Sequence, residues 1–183
     1  MTRKVLSIYL VLLALAISGC GYHFNLAGTR LREGLSSLAI PTLKSRATVE
    51  GLEADFTDII RKEFLSHSTI SLVPVKEASA VLVGRIERLE TSPLSYDIEQ
   101  NSVGGKTVSY ELTNLRRIKV RLSMKMVRRE SGKIIWEERG MEEKASYNVS
   151  TDPMETRFRE KMALRQIAKR LAKRIYLKTV DTF

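Results

Sequence analysis

Ile118-Lys119-Val120-Arg121-Leu122-Ser123-Met124-Lys125-Met126 alternates strictly, apolar at every even position and cationic or polar at every odd one. Side chains on a strand point to opposite faces with period two, so this stretch reads as a half-buried strand, apolar inside and positive outside. Glu130-Ser131-Gly132-Lys133 reads as the turn of a hairpin. From Ile134 to about Ala145 the chain should return antiparallel, with Ile134 and Trp136 on one side and Ile135, Glu137 and Arg139 on the other. Upstream, Ala80-Val81-Leu82-Val83-Gly84-Arg85-Ile86 is rich in β-branched residues and predicts a strand reaching Leu89. A wet stretch from Thr91 to Thr107 follows, with Pro93 and a turn at Gly104-Gly105. Ile70 to Val75 begins a further strand, and Ser37 to Leu43 predicts a short edge strand ended by Pro41.

Two segments carry the helical period instead. Val49, Leu52, Phe56, Ile59, Ile60 and Phe64 define an amphipathic helix over about Val49 to Ser66, with Thr48 as the expected cap. Glu53, Asp55, Asp58, Arg61 and Lys62 lie on its polar side. Asp152-Pro153-Met154-Glu155 announces a second start: Asp152 caps, Pro153 suits the first helical position, and Glu155 can close a capping box. From there to about Lys178, Leu164, Ile167, Ala168, Leu171, Ala172 and Ile175 form an apolar stripe, with Lys169, Arg170, Lys173 and Arg174 opposite. The expected fold is therefore α+β: a two-layer sandwich in which a mixed, mostly antiparallel sheet of about four strands carries two amphipathic helices on one face.

The first residues assign a compartment. Arg3 and Lys4 precede an apolar run from Val5 to Ile17, and Ser18-Gly19-Cys20 follows. A basic tip, a 13-residue hydrophobic stretch and small residues at a cut site make a secretory signal. The run is shorter than the ~20 apolar residues a spanning helix needs. Ile17-Ser18-Gly19-Cys20 fits the bacterial lipobox, in which the cysteine is lipidated and becomes the new N-terminus. Residues 1–19 are thus expected to be a lipoprotein signal peptide, 20–36 a lipidated start and tether, and 37–183 one sandwich domain. Several acyl chains on Cys20 would hold the chain to a membrane, since each buried methylene contributes ~0.8 kcal/mol. Gly21 stands where inner-membrane lipoproteins usually carry Asp, so the expected location is the outer membrane, periplasmic side.

Removing residues 1–19 from 183 leaves 164, enough for one domain with a real core. Cys20 is the only cysteine, so packing alone must hold the fold. With 43% hydrophobic and 28% charged residues the chain is neither disordered nor membrane-embedded. The formal charge of +10 suits nucleic acid, anionic lipid or an acidic protein. An exported lipoprotein meets lipid A phosphates rather than nucleic acid, so no nucleic-acid partner is expected.

Cys20-Gly21-Tyr22-His23-Phe24 resembles the mature start of the LptE family of lipopolysaccharide-assembly lipoproteins, which reads Cys-Gly-aromatic-His-apolar. Further matches keep their order: Ile40-Pro41, Gly51-Leu52, Leu82-x-Gly84-x-Ile86, Tyr110 and the hairpin Gly132. The resemblance implies a small sandwich that sits inside an LptD-type outer-membrane barrel, supports its assembly and binds lipopolysaccharide for insertion into the outer leaflet. Family contacts with lipopolysaccharide lie on basic residues near strand ends and loops. Lys106, Lys119, Arg121 and Lys125 are the counterparts chosen here, by charge and position rather than by motif. The plainer reading of the same residues is a solvated strand face with cross-strand pairs to Glu137. The alternative function is a structural adaptor in another envelope secretion complex.

Catalytic and cofactor signals are weak. Gly104-Gly105-Lys106-Thr107 mimics the end of a phosphate-binding loop, but Gln100 stands where its first glycine belongs. His23 and His67 are the only histidines, too few for a zinc site without free cysteine. No Gly-x-Ser-x-Gly elbow occurs. Neither an enzyme nor a cofactor or metal is expected.

Overall fold

The computed structural model describes residues 35–47, 49, 51–68, 70–103 and 106–180, with the side chains of 96–103 and 106–113 outside the description. Cys20, Thr48 and Gly104-Gly105 therefore lie outside the described residues. The order is β1 (Ser37–Ala39), β2 (Lys44–Ser45), α1 (Leu52–His67), β3 (Ser71–Leu72), β4 (Ala80–Val103), β5 (Lys106–Arg128), β6 (Ile134–Asn148) and α2 (Pro153–Val180).

The α+β reading stands, but the sheet has six strands rather than about four. Their order is β3-β1-β4-β5-β6, with β2 also on β4. β1 pairs in parallel with both β3 and β4, so it lies inside the sheet and not at its edge. A parallel neighbour requires a crossover, and α1 supplies it between β1 and β3. The long pairs β4/β5 and β5/β6 are antiparallel.

Ile118, Val120, Leu122, Met124 and Met126 are all buried, as their alternation requires. They join Leu52, Phe56, Ile60 and Phe64 of α1 and Ile167, Leu171 and Ile175 of α2 in one apolar cluster. Burying each of the larger side chains contributes about 1.5–3 kcal/mol. Two irregularities keep the neighbouring strands on this face. A register shift between Ile86 and Arg88 moves the inward side of β4 from even to odd positions, so that Leu89 rather than Arg88 lies opposite Val120. In β6 a shift between Glu138 and Met141 surrounds Gly140, whose φ of 72° suits glycine. It brings Trp136, Met141, Ala145 and Tyr147 onto the same buried side. Ile134, expected beside Trp136, is instead exposed, because a second shift sets it opposite Val127.

The wet stretch after Leu89 is strand. β4 continues through Pro93 to Val103 and pairs with β5 down to Val103 opposite Lys106. Helix α1 starts later than expected, with Gly51 in the left-handed region at its cap position, and Val49 falls outside it. α2 starts as expected: Asp152 Oδ1 accepts from the Met154 N–H at 2.8 Å. The expected capping box differs in one bond: the Asp152 N–H donates to the Ser150 hydroxyl rather than to Glu155, and that hydroxyl donates to Glu155. α1 also organises the break at Pro41. The Leu43 N–H donates to Thr57 Oγ1 at 2.9 Å, and Arg61 donates twice to the Ile40 carbonyl. Leu35, assigned by sequence to the tether, is buried against this core.

Candidate functional site: the open face of the sheet

Alternation leaves Lys119, Arg121, Ser123 and Lys125 of β5 on the face away from the helices, beside Glu137, Arg139 and Glu142 of β6. This face divides into a neutralised half and a free half. Lys119 Nζ lies 2.9 Å from Glu142 Oε2, and Arg121 holds the other carboxylate oxygen through Nε at 2.7 Å and through Nη2. Hydrogen bonds from Lys119 and then from Arg121 hold the Glu142 acid below the usual carboxylate range. These two candidates are thus brought together, on an acid rather than on open solvent.

Lys125 sits differently. It is paired in register with Glu137, whose carboxylate accepts from Arg139 Nε at 2.9 Å. Arg139 first, and the nearby charge of Lys125 to a smaller extent, hold the Glu137 acid low. Lys125 itself makes no ion pair. Lys44 and Arg85 join it around one concavity of roughly 640 Å³ that Ser123 also lines. The parallel register places Lys44 directly beside Arg85, and neither has a carboxylate within ion-pair distance. Glu87, the remaining acid there, is taken by Arg46 at 3.4 Å. Three cations without an ion pair around one hollow suit a phosphate-bearing ligand, because charged donors bind anionic oxygens about twice as strongly as neutral ones.

Sequence reasoning missed Lys44 and Arg85. The hollow exists because β1 pairs with Ala80 and Val81, β2 with Arg85 and Ile86, and Pro41 and Thr42 pass between them. Lys106 opens β5, far from this hollow at the other end of the sheet, and its side chain lies outside the described residues.

The other basic surface is α2, where part of the charge is structural. Arg170 and Arg174 donate to the main-chain carbonyls of Lys144 and Glu142 on the edge strand β6. Arg174 also pairs with Glu143, and Lys178 with Glu138. The neighbouring acids Glu137-Glu138 and Glu142-Glu143 are therefore split, one of each on the open face and one toward α2. His67 bonds locally through Nδ1 to the Glu63 carbonyl. Among the described residues no group of three His, Cys, Asp or Glu side chains is arranged to hold a metal.

No curated protein matches the sequence. Among solved structures, the chain is similar to an uncharacterized lipoprotein B from Nitrosomonas europaea, at TM-score 0.55 and 10% identity, covering 87% of this chain and 90% of that one. It is also similar to a putative lipoprotein from Caulobacter crescentus, at TM-score 0.51 and 11% identity, covering 79% of this chain and 88% of that one. At such identity these likenesses show the fold alone. The family described as LptE, lipopolysaccharide-assembly, matches residues 35–179, nearly the whole of the described chain. The chain belongs to the LptE family of lipopolysaccharide-assembly proteins.

Proposed function

We propose that the chain is a non-enzymatic outer-membrane lipoprotein that partners and plugs an LptD-type barrel, supports its assembly and binds lipopolysaccharide on the open sheet face. The family match over residues 35–179 carries this reading. In it, residues 1–19 are removed as a signal, Cys20 carries the acyl anchor, 20–36 form the tether and 37–183 the working domain. The anchor holds the domain on the periplasmic side of the outer membrane.

Within the domain, Lys44, Arg85 and Lys125 are the first contacts for lipid A phosphates, since they line one hollow and none is held in an ion pair there. Lys119 and Arg121 extend the site when Glu142 releases them, and Lys106 marks its far end. Reversing Lys44, Arg85 and Lys125 together to Glu should weaken binding of purified lipopolysaccharide by more than about tenfold, as each charged hydrogen bond contributes roughly 1.5–3 kcal/mol before screening. Binding equal to that of the parent chain would remove the hollow from the site.

A further inference from the structure

β4 and β5 outrun the rest of the sheet. β6 pairs with β5 only as far as Asn148 opposite Leu115, and β2 pairs with β4 only up to Ser45 opposite Ile86. The two long strands continue together to Val103 opposite Lys106. Between Leu115 and Lys106 they form a ribbon about 30 Å long at ~3.3 Å per residue. Among the described residues no third strand flanks it. Two strands alone are marginally stable in water, and each flank presents a row of main-chain N–H and C=O groups to whatever lies beside it.

The two flanks are not alike. The outer flank of β4 carries Pro93, register shifts between Ile86 and Arg88 and between Pro93 and Ser95, and acids at Asp97 and Glu99. Proline, bulges and charge are the usual means of keeping a stray strand off an edge. On β6, Arg170 and Arg174 serve the same end by donating to the carbonyls of Lys144 and Glu142. The flank of β5 has no such device. Lys106-Thr107-Val108-Ser109-Tyr110-Glu111-Leu112-Thr113 holds no proline or glycine, carries one cation at the tip and one acid, and keeps an unbroken register against β4. Its threonines, valine and tyrosine favour extended backbone.

We infer that this flank, Lys106 to Thr113, takes up an extended segment of the partner barrel's chain as an added strand, continuing the line that β6 leaves at Asn148. Only another extended chain satisfies a row of alternating main-chain donors and acceptors, which makes strand addition the mode of recognition. The inference rests on the barrel reading for the partner's identity. Strands of a closed wall are already paired on both sides, so the segment is a loop or terminal stretch that enters the lumen. Val108, Tyr110 and Leu112 fall on one face of the ribbon by period two, so the segment is near neutral and apolar at every second position. A second copy of this chain has the same flank to offer, but a pore filled by one sandwich does not hold two.

The test is photocrosslinking in cells that produce the full chain with its barrel. Benzoylphenylalanine replaces Val108, Tyr110 or Leu112 on β5 and, as controls, their register partners Asn101, Glu99 or Asp97 on β4. Each control shares a face with its partner but stands one strand spacing, ~4.8 Å, farther from the added strand, so yields from β5 should exceed those from β4 at least about fivefold. The adducts should contain a barrel-sized partner, joined at sites two residues apart along one segment. On the unsubstituted chain, amide hydrogen exchange over residues 106–113 should slow at least about tenfold in the complex relative to the chain alone, a readout that needs no variant. Equal yields from both strands, sites scattered over several segments, an adduct of twice the chain's mass, or unchanged exchange overturns the inference. In each of those results the barrel is still recovered with the chain. Failure of the parent chain to co-purify with any barrel refutes the barrel reading itself, and the inference with it.

Discussion

Glu142 pairs with both Lys119 and Arg121 on the open face. Its carboxyl is held low in the folded chain by Lys119 and Arg121, so the unfolded chain takes up a proton more readily. The stabilisation it brings is complete above the ordinary carboxylate range and is lost as pH falls through the lowered folded value. Glu142→Gln should accordingly flatten the acid side of a stability-versus-pH curve taken by denaturant unfolding from about pH 5 downward. A curve unchanged from the parent would show the pairing to be without thermodynamic weight, as many surface pairs are. The same variant frees Lys119 and Arg121, and lipopolysaccharide binding should tighten several-fold; unchanged affinity would restrict the site to the hollow. Lys125 was legible as a candidate because its strand alternates. Lys44 and Arg85 were not, since their proximity arises from a two-residue parallel pairing that leaves no period in the sequence. At Cys20 the lipobox predicts incorporation of radioactive palmitate that disappears in Cys20→Ala, and persistent label in that variant would refute the anchor.

At the scale of elements, what the sequence declared and what it concealed follow one physical distinction. β5 between Ile118 and Met126 was readable because its two faces meet different environments, core and solvent. The second half of β4 was not, because Thr91, Ser92, Pro93 and Ser95 bury little and are kept in strand by main-chain pairing with β5. β2 and β3, at two residues each, are too short to show any period. Both helices were readable from their apolar stripes, whereas the Gly51 start of α1 depended on a left-handed backbone that carries no periodic signal. Gly84 shows how tightly these layers meet. A methyl group there would overlap the Met124 sulfur and the Leu43 side chain, which pack over the bare backbone of β4. Gly84→Ala should therefore lower stability by about 1–3 kcal/mol, the usual range for overpacking. Met124→Ala made alongside it should recover part of that loss, giving a non-additive double-mutant cycle. Additive losses in urea unfolding would mean that Gly84 and Met124 do not share this space.

The molecule as a whole has a buried core layer and two outer faces. The core layer ties α1 and α2 to the sheet, and Arg170 and Arg174 cover the carbonyls of the β6 edge, which would otherwise offer itself to another strand. The open face holds Lys44, Arg85 and Lys125 around one hollow, and the outward face of α2 exposes Met154, Phe158 and Met162. A sandwich with two such faces on opposite sides of the sheet suits the proposed place inside a larger envelope assembly. Family membership makes lipopolysaccharide assembly the context of that work, and partnership with a barrel is the claim on which the proposed function stands. Detergent extraction of native membranes followed by affinity purification of the intact chain measures it directly. The account predicts co-purification of one large outer-membrane β-barrel in near-equal amount, together with lipopolysaccharide. Recovery of the chain alone, or with an envelope complex lacking a lipopolysaccharide-translocating barrel, would contradict it.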